Sequence, residues 1–352
     1  MLHKFNLEYL SIFILILSAI IPQVTVLYSF INFSLNYISI IVCIFTLLFL
    51  SKNSFKIHLN YFLRLFLFSI FTGILYIFES NGGLIVILSL LILMILVINK
   101  FENYLIYNLF KRIFIFLSFL SFISYILFIF KLTSPSSFNL NGRGVMYLHL
   151  FTLSDFEQFN IFNPNSWRFY GFFNEPGALA AMSGIFIVSE NFKFKNNIIL
   201  YFFILCSFST GIFVGLFFSY LYINYKKFFN LYFLLFFLFL IFFYFYGRNS
   251  PVLFLSYAHE KLFYFTYDFF DFEEDRLRYS FLNYLFINPL FFILYLSLFI
   301  LIPSRFLALF IMMGLYRHHF ILNSVPVLII IFYPFFYLSK RNLKNQLNYK
   351  YD

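Results

Sequence analysis

Charged residues are scarce in this chain: only 11% of its 352 residues are Asp, Glu, Lys or Arg, whereas a soluble globular domain carries about a quarter. Hydrophobic residues make up 62% of the sequence, and the chain contains 63 Phe. No water-soluble surface can be assembled from that composition, but lipid tails solvate Phe and the headgroup region suits Tyr. The scarcity of charge therefore excludes a soluble globular protein and predicts an integral membrane protein.

Cysteine is also rare. Cys43 and Cys206 are the only two, and each lies in an apolar run, where it behaves as a small hydrophobe. The sequence lacks a Walker loop, a dinucleotide fingerprint, a Ser nucleophile elbow and a His-Glu zinc motif. Its net charge of +10 comes from Lys and Arg that are scattered singly or in pairs. We therefore expect no redox or zinc chemistry, no cofactor, no ATP hydrolysis and no nucleic-acid partner.

Apolar runs recur along the chain, and a bilayer core requires about 20 apolar residues per helix. We predict an all-α polytopic membrane protein, a single membrane domain over 1–352 with about twelve transmembrane helices. The first is expected to be an uncleaved helix, because no small-residue cleavage site follows it. Ser209-Thr210-Gly211 predicts a broken or re-entrant helix, since the two runs beside it are short. The candidate spans are 8–22, 35–51, 60–79, 83–99, 113–131, 176–191, 198–209, 211–225, 228–246, 286–302, 306–316 and 320–338.

The positions of Lys and Arg predict the orientation, because cytoplasmic loops of membrane proteins are enriched in both. With the N-terminus inside, fifteen fall on the cytoplasmic side and eight outside, so both termini are predicted to be cytoplasmic. Six of the eight outer residues are Arg, against three of the fifteen inner ones. A guanidinium binds phosphate oxygens in pairs, so the excess indicates an outer phosphate site. Chance and local salt bridges are the alternative.

Two outer loops, 132–175 and 247–285, are long enough to hold a site. The first ends in the most informative segment of the chain, Arg168-Phe169-Tyr170-Gly171-Phe172-Phe173-Asn174-Glu175-Pro176-Gly177. Pro176 suits the first turn of a helix and places Glu175 at the helix start, where the dipole favours an ionised carboxylate. Gly171 and Gly177 allow tight backbone or close substrate approach. Arg168 and Glu175 are candidates to bind a phosphate and a sugar hydroxyl, with a structural ion pair as the alternative.

The second loop carries an acidic run followed by two arginines, Asp271-Phe272-Glu273-Glu274-Asp275-Arg276-Leu277-Arg278. Apolar residues recur there at helical spacing, which predicts an amphipathic helix at the outer interface. Arg278 has Glu274 four residues earlier as a partner, so Arg276 is freer to bind a ligand. The acids could hold a divalent cation instead, although tight ligand spacing is absent.

A short polar island, Tyr316-Arg317-His318-His319-Phe320, separates two apolar runs. Polar groups at membrane depth are costly and usually functional. Neighbouring residues of a helix face different directions, so at most one of the two His joins a given site. Proton transfer or phosphate contact beside Arg317 is the functional interpretation. A headgroup-level anchor is the alternative.

Four elements of the chain, taken in order, resemble the Wzy-type O-antigen polymerases and the related O-antigen ligases. They are the Arg168 to Pro176 segment, the Ser209-Thr210-Gly211 break, Arg276 to Asn288-Pro289, and His319 to Asn323. The resemblance implies a GT-C-like, metal-independent membrane glycosyltransferase of lipopolysaccharide or capsule biosynthesis in the bacterial inner membrane. Such an enzyme moves an oligosaccharide from undecaprenyl pyrophosphate to an acceptor sugar hydroxyl on the periplasmic side.

The resemblance also implies roles for individual residues. Arg168 and Arg276 would hold the pyrophosphate, and Glu175 or His319 would orient or deprotonate the acceptor hydroxyl. Cleavage of the anomeric C–O bond leaves negative charge on the pyrophosphate, which preorganised arginines stabilise. The expected partners, besides the lipid bilayer and the lipid-linked oligosaccharide, are flippase and chain-length regulator proteins. The remaining residues expected to bind pyrophosphate or glycan are Arg278, Arg317, Tyr170 and His318.

Three alternative functions remain open. An O-antigen ligase is less favoured, because the ligase pattern often has a glycine-rich stretch after the His and this chain does not. A polysaccharide flippase or other transporter would place ionisable groups within its spans. Here the first five spans carry few beyond Glu8, Arg64 and Glu79, and the polar residues gather in the outer loops. A non-catalytic assembly subunit is the third alternative.

Overall fold

Helices dominate the part of the chain that the computed structural model describes. Contacts divide the chain into two compact units. The first comprises Met1–Phe116, Leu290–Pro303 and His319–Asp352, and the second comprises Leu117–Pro289 and Ser304–His318. The described residues are 2–24, 27, 35–50, 63, 65–67, 69–70, 82–98, 103–140, 144–173, 175–224 and 327–331.

Three apolar helices pack together in the first unit: α1 (Leu2–Ile20), α2 (Leu35–Leu50) and α3 (Gly82–Ile98). Helix α2 packs against both of the others. Its Cys43 is buried, and the thiol donates a hydrogen bond to the Ser18 hydroxyl of α1 at 3.2 Å. Cys206 is also free of any disulfide. The prediction that the cysteines serve as small packing groups is thus confirmed for Cys43.

Helix α4 (Asn103–Ile129) is, within the described residues, the one helix long and apolar enough to cross a bilayer, over Tyr104–Ile129. It ends in a Schellman motif, in which the Leu132 amide donates to the Leu127 carbonyl at 2.9 Å and Lys131 adopts a φ of 57°. The helix begins well before the predicted span, 113–131, so Lys111 and Arg112 lie inside it. Nothing between 103 and 113 breaks a helix, since Gly and Pro are both absent there.

The other predicted spans are helical over most of the described residues that they cover, but 190–191 and 208–209, at the ends of two of them, lie outside the helices. Residues 63, 65–67, 69–70 and 327–331 are helical, within the predicted spans 60–79 and 320–338. The predicted spans 228–246, 286–302 and 306–316 lie outside the described residues. Apart from α4, the described helices are apolar but shorter than a full span. That these shorter helices cross a membrane stays a prediction.

The segment 132–175, predicted to be the first outer loop, contains a small antiparallel sheet, so the all-α prediction is wrong there. Strands β1 (Ser136–Leu140), β2 (Gly144–His149) and β3 (Thr152–Ser154) pair in the order β1-β2-β3. Met146 and Leu148 are buried while Val145 is exposed, which is the alternation of a half-buried strand. In β1 the sequence does not show this alternation, because the strand contains two Ser and one Asn. Its strand conformation accompanies hydrogen bonding to β2.

Three helices follow the loop: α5 (Pro176–Ser189), α6 (Phe194–Ser207) and α7 (Thr210–Asn224). Helix α5 packs against both α6 and α7, and every residue of α5 except Gly177 is buried. Its small residues allow neighbouring backbones to approach closely. Between α6 and α7, Phe208 adopts the left-handed conformation with a φ of 49°. The predicted helix break is therefore present, at Phe208–Ser209, and Thr210 and Gly211 already belong to α7.

Candidate site at the first outer loop

The segment from Trp167 to Glu175 is held against α4 and α6. The Phe169 amide donates to the Cys206 carbonyl at 2.9 Å, which satisfies a backbone group in the last turn of α6. The Phe169 ring is fully buried and lies 5.2 Å from Tyr125 and 6.0 Å from Phe203, centroid to centroid. The Tyr125 hydroxyl donates to the Trp167 carbonyl at 2.5 Å. Two contacts with other elements therefore fix the backbone on either side of Arg168.

The Arg168 side chain is half-buried, and its Nε is fully buried. Among the described residues, no hydrogen-bond acceptor pairs with this Nε. A buried donor without an acceptor costs about 1–3 kcal/mol. Two other buried polar side-chain atoms in the described part of the chain also lack partners, and both are neutral hydroxyls, on Ser118 and Ser183. Arg168 thus has a charged hydrogen-bond donor that is shielded from solvent.

Glu175 is at the N-cap of α5 and Pro176 at its first position, as the sequence predicts. The Glu175 backbone is extended, with φ −140° and ψ 136°, and its carbonyl accepts from the Ala178 amide at 3.1 Å. The carboxylate makes no capping hydrogen bond. An acid at this position lies near the positive end of the helix dipole.

The two glycines of the segment differ in what they require. Gly171 has a φ of +65°, and an added Cβ would lie 3.1 Å from Cδ1 of Leu179, so glycine is needed there. Its carbonyl accepts from the Thr152 hydroxyl at 3.2 Å. At Gly177 an added Cβ would lie 3.7 Å from the Ser209 hydroxyl, which is an ordinary contact. The prediction that the backbone conformation requires glycine is confirmed at Gly171 only.

Gly177 and Ser209 lie close together in space. Their proximity places the helix break next to the end of the Arg168 to Pro176 segment. Because Gly177 lies in the first turn of α5 and Ser209 directly precedes α7, the N-termini of both helices lie at this end of the unit. Unpaired N–H groups and aligned peptide dipoles at helix N-termini attract anions. An anion here would meet these two helix ends.

Tyr170 is buried, and its hydroxyl donates to Oδ2 of Asp155 at 2.5 Å. Asp155 itself is exposed. It was not among the residues predicted from sequence, because it lies fifteen residues before Tyr170 and the irregular segment between the two residues brings them together. A carboxylate at the surface of the site segment is therefore a candidate that spacing alone does not reveal.

His149 is a second residue that the sequence does not single out. Its ring is fully buried, with Nδ1 3.0 Å from the Thr133 hydroxyl and Nε2 3.1 Å from the Phe156 carbonyl. Since a carbonyl only accepts, Nε2 carries the proton and Nδ1 accepts from Thr133. Burial lowers the pKa of His149 and keeps it neutral. The His149 ring links β2 to Thr133, which precedes the sheet in sequence, and to Phe156, which follows it. The side chain has no exposed surface for catalysis.

The remaining predicted site residues lie outside the described residues: Arg276, Arg278, Arg317, His318 and His319, with the loop 247–285. Within the described ranges, no group of three or more His, Cys, Asp or Glu could hold a metal ion. Comparisons of the chain with protein-family models, curated proteins and solved structures find no match. The resemblance to O-antigen polymerases therefore remains a prediction from sequence motifs.

Proposed function

We propose that this chain is a membrane glycosyltransferase that polymerises lipid-linked oligosaccharide units. It would transfer a glycan from undecaprenyl pyrophosphate to an acceptor sugar hydroxyl at the periplasmic face of a bacterial inner membrane. The observation that supports this best is the buried Nε of Arg168, which has no acceptor among the described residues. A pyrophosphate oxygen would supply that acceptor and balance the charge.

The reaction requires stabilisation of a leaving group. The acceptor hydroxyl oxygen attacks the anomeric carbon, the bond from that carbon to the pyrophosphate oxygen breaks, and undecaprenyl pyrophosphate departs with the bonding electrons. Arg168 and the N-termini of α5 and α7 stabilise the negative charge that develops. Arg276 and Arg278 from the second loop, and Arg317, complete the set of cations.

The acceptor proton needs a base within hydrogen-bond reach. Glu175 fits this role because it lies at the N-terminus of α5, the same end of the helix that is proposed to bind the pyrophosphate. His319 is the alternative base. Tyr170, through its bond to Asp155, and His318 are assigned to the glycan. No cofactor or metal takes part in this scheme.

The membrane architecture is part of the proposal. Helix α4 meets the length and composition of a span, and the Lys and Arg distribution favours cytoplasmic termini. We assign a GT-C-like arrangement of about twelve transmembrane helices. A lipid-linked substrate then reaches the site sideways from the bilayer, and flippase and chain-length regulator proteins are the partners.

A flippase for the same lipid-linked unit is the second candidate. The break between α6 and α7 favours it, since transporters bind anionic groups at the N-termini of discontinuous helices. An enzyme and a flippase would share the anion-binding end of α5 and α7. They differ in what accumulates when the chain is lost.

Deletion of the chain in its own host, scored by gel for surface polysaccharide, tests the proposal. A polymerase leaves single repeat units on the surface, whereas loss of a flippase leaves lipid-linked units facing inward. Loss of a ligase abolishes attachment to lipid A. Restoration of long chains by the native sequence, and not by Arg168→Gln, would support the role of Arg168. Unchanged chain length in the deletion would contradict the enzyme assignment.

A further inference from the structure

The turn between β2 and β3 carries two large apolar side chains in exposed positions. His149 pairs with Thr152, so Leu150 and Phe151 form a two-residue turn. Their side chains are 56% and 57% exposed. Turns of this length in water favour Gly, Asn and Asp. Leu150 adopts a φ of 60°, a conformation that costs a leucine free energy relative to glycine. The side chains of the turn and the backbone conformation of Leu150 are therefore both atypical of a turn that faces water.

Hydrogen bonds fix the position of this turn along α4. The Ser121 hydroxyl donates to the Phe151 carbonyl at 2.7 Å, and the Phe151 amide donates to the Ser124 hydroxyl at 3.3 Å. These serines precede the helix end at Ile129 by eight and five residues. At 1.5 Å of rise per residue, Phe151 lies about 8–12 Å back from that end.

Strand β2 runs from the turn toward the C-terminal end of α4 and beyond it. The His149 ring lies 4.3 Å from that of Phe128, and its Nδ1 reaches Thr133, which follows the helix. Val145 precedes His149, the last residue of β2, by four residues, which is about 13 Å in a strand. The hairpin of β1 and β2 thus extends past the helix end, while the Leu150–Phe151 turn lies beside the helix.

We propose that the Leu150–Phe151 turn inserts into the outer leaflet of the membrane and contacts lipid at the boundary between headgroups and acyl chains. This rests on the membrane crossing of α4 in the proposed function. At the same level α4 exposes apolar side chains of its own, including Phe119 and Ile123. Lipid at this level would cover both these side chains and the turn.

The anchor also bears on the candidate site. Thr152 directly follows the turn, and its hydroxyl bonds the Gly171 carbonyl in the Arg168 to Glu175 segment. A turn held in the leaflet would keep this segment at the membrane surface. The pyrophosphate of a lipid-linked substrate lies at that depth.

Tryptophan quenching in vesicles tests the insertion. Trp167 is the only tryptophan of the chain, so Trp167→Phe provides a background for single Trp at chosen positions. The full chain carrying Phe151→Trp, Phe119→Trp or Val145→Trp is reconstituted in phosphatidylcholine vesicles with and without brominated acyl chains. The three native side chains have similar exposures, 57%, 52% and 51%. We expect bromine to quench Phe151→Trp as strongly as Phe119→Trp and to leave Val145→Trp unquenched.

Three results would overturn the anchor. Quenching of Phe119→Trp alone would show that the turn lies in water while α4 crosses the bilayer. Absence of quenching at all three positions would overturn the membrane placement of α4 as well. Equal quenching at all three positions would show that the turn lies no deeper in the bilayer than Val145 does.

A second measurement keeps Trp167 in place, because its Nε1 donates to the Ile161 carbonyl and its loss could disturb the loop. Phe151→Cys and Val145→Cys are labelled on spheroplasts with a membrane-impermeant maleimide, with the unsubstituted chain as background. We expect labelling of Val145→Cys and protection of Phe151→Cys. Equal labelling of the two would overturn the anchor independently of the quenching result.

Discussion

The Phe169 amide donates a hydrogen bond to the Cys206 carbonyl at 2.9 Å, joining the end of the first outer loop to the end of α6. Arg168 immediately precedes this bond, and the α6–α7 break follows Cys206 by two residues. A backbone bond here places a charged side chain near the helix break without using the side chain itself. The Nε of that side chain has no acceptor among the described residues.

The role of Arg168 predicts a penalty even for a substitution that keeps the charge. Arg168→Lys replaces a planar fork by a point charge and cannot bind two phosphate oxygens in parallel. We expect polymer formation to fall at least about tenfold, since removing an oxyanion donor outright costs roughly a hundredfold or more. Polymer length on a gel and the amount of chain in the membrane fraction are the two measurements.

Arg112→Lys is the matched control for this variant, because Arg112 is exposed on α4 and takes no part in the proposed site. It should support polymer of native length. If Arg168→Lys also gave native polymer at native membrane levels, a bidentate phosphate role for Arg168 would be excluded.

Local signals predicted the start of α5 and the break before α7 because each depends on a few adjacent residues. Pro176 fixes its own φ and lacks an N–H, which suits a first helical position only. The sheet was missed because short strands gain stability from pairing across the chain, and Ser136 and Ser137 carry little strand preference. The bond between Tyr170 and Asp155 joins residues fifteen positions apart across an irregular segment, so no spacing rule could anticipate it.

Gly171 predicts a stability effect that Gly177 does not share. Gly171→Ala forces a side chain into a φ of +65° and brings its Cβ within 3.1 Å of Leu179. We expect the free energy of unfolding to fall by about 1–2 kcal/mol. Gly177→Ala, in the first turn of α5 with only an ordinary contact at 3.7 Å, should leave stability unchanged or slightly raised. Thermal unfolding in detergent compares the two, and equal losses would contradict the left-handed requirement at Gly171.

Tyr170 and Asp155 should act as one unit. Tyr170→Phe removes the donor from the hydrogen bond and Asp155→Asn removes the charge from its acceptor, so each single variant should shorten the polymer. Because both disrupt the same bond, the double variant should be little worse than the more affected single one. Polymer length in the three strains measures this coupling. Additive losses would show that the two residues act independently, with Asp155 then contributing through its exposed carboxylate alone.

His149 predicts a loss of stability on acidification. Burial holds its pKa in the folded chain below the ordinary value of 6.5. Between the two values the unfolded chain therefore binds more protons than the folded chain, and the free energy of unfolding falls as pH drops below about 6.5. Protonation would also place a second N–H on Nδ1, facing a Thr133 hydroxyl that now has to accept. His149→Gln removes the titrating group, so its unfolding midpoint in detergent should change less between pH 7.5 and pH 5.5, values chosen to bracket the ordinary pKa of histidine at about 6.5. The difference between the two chains isolates His149 from the other acids and histidines, and identical pH profiles would mean that the buried imidazole is not the group that responds.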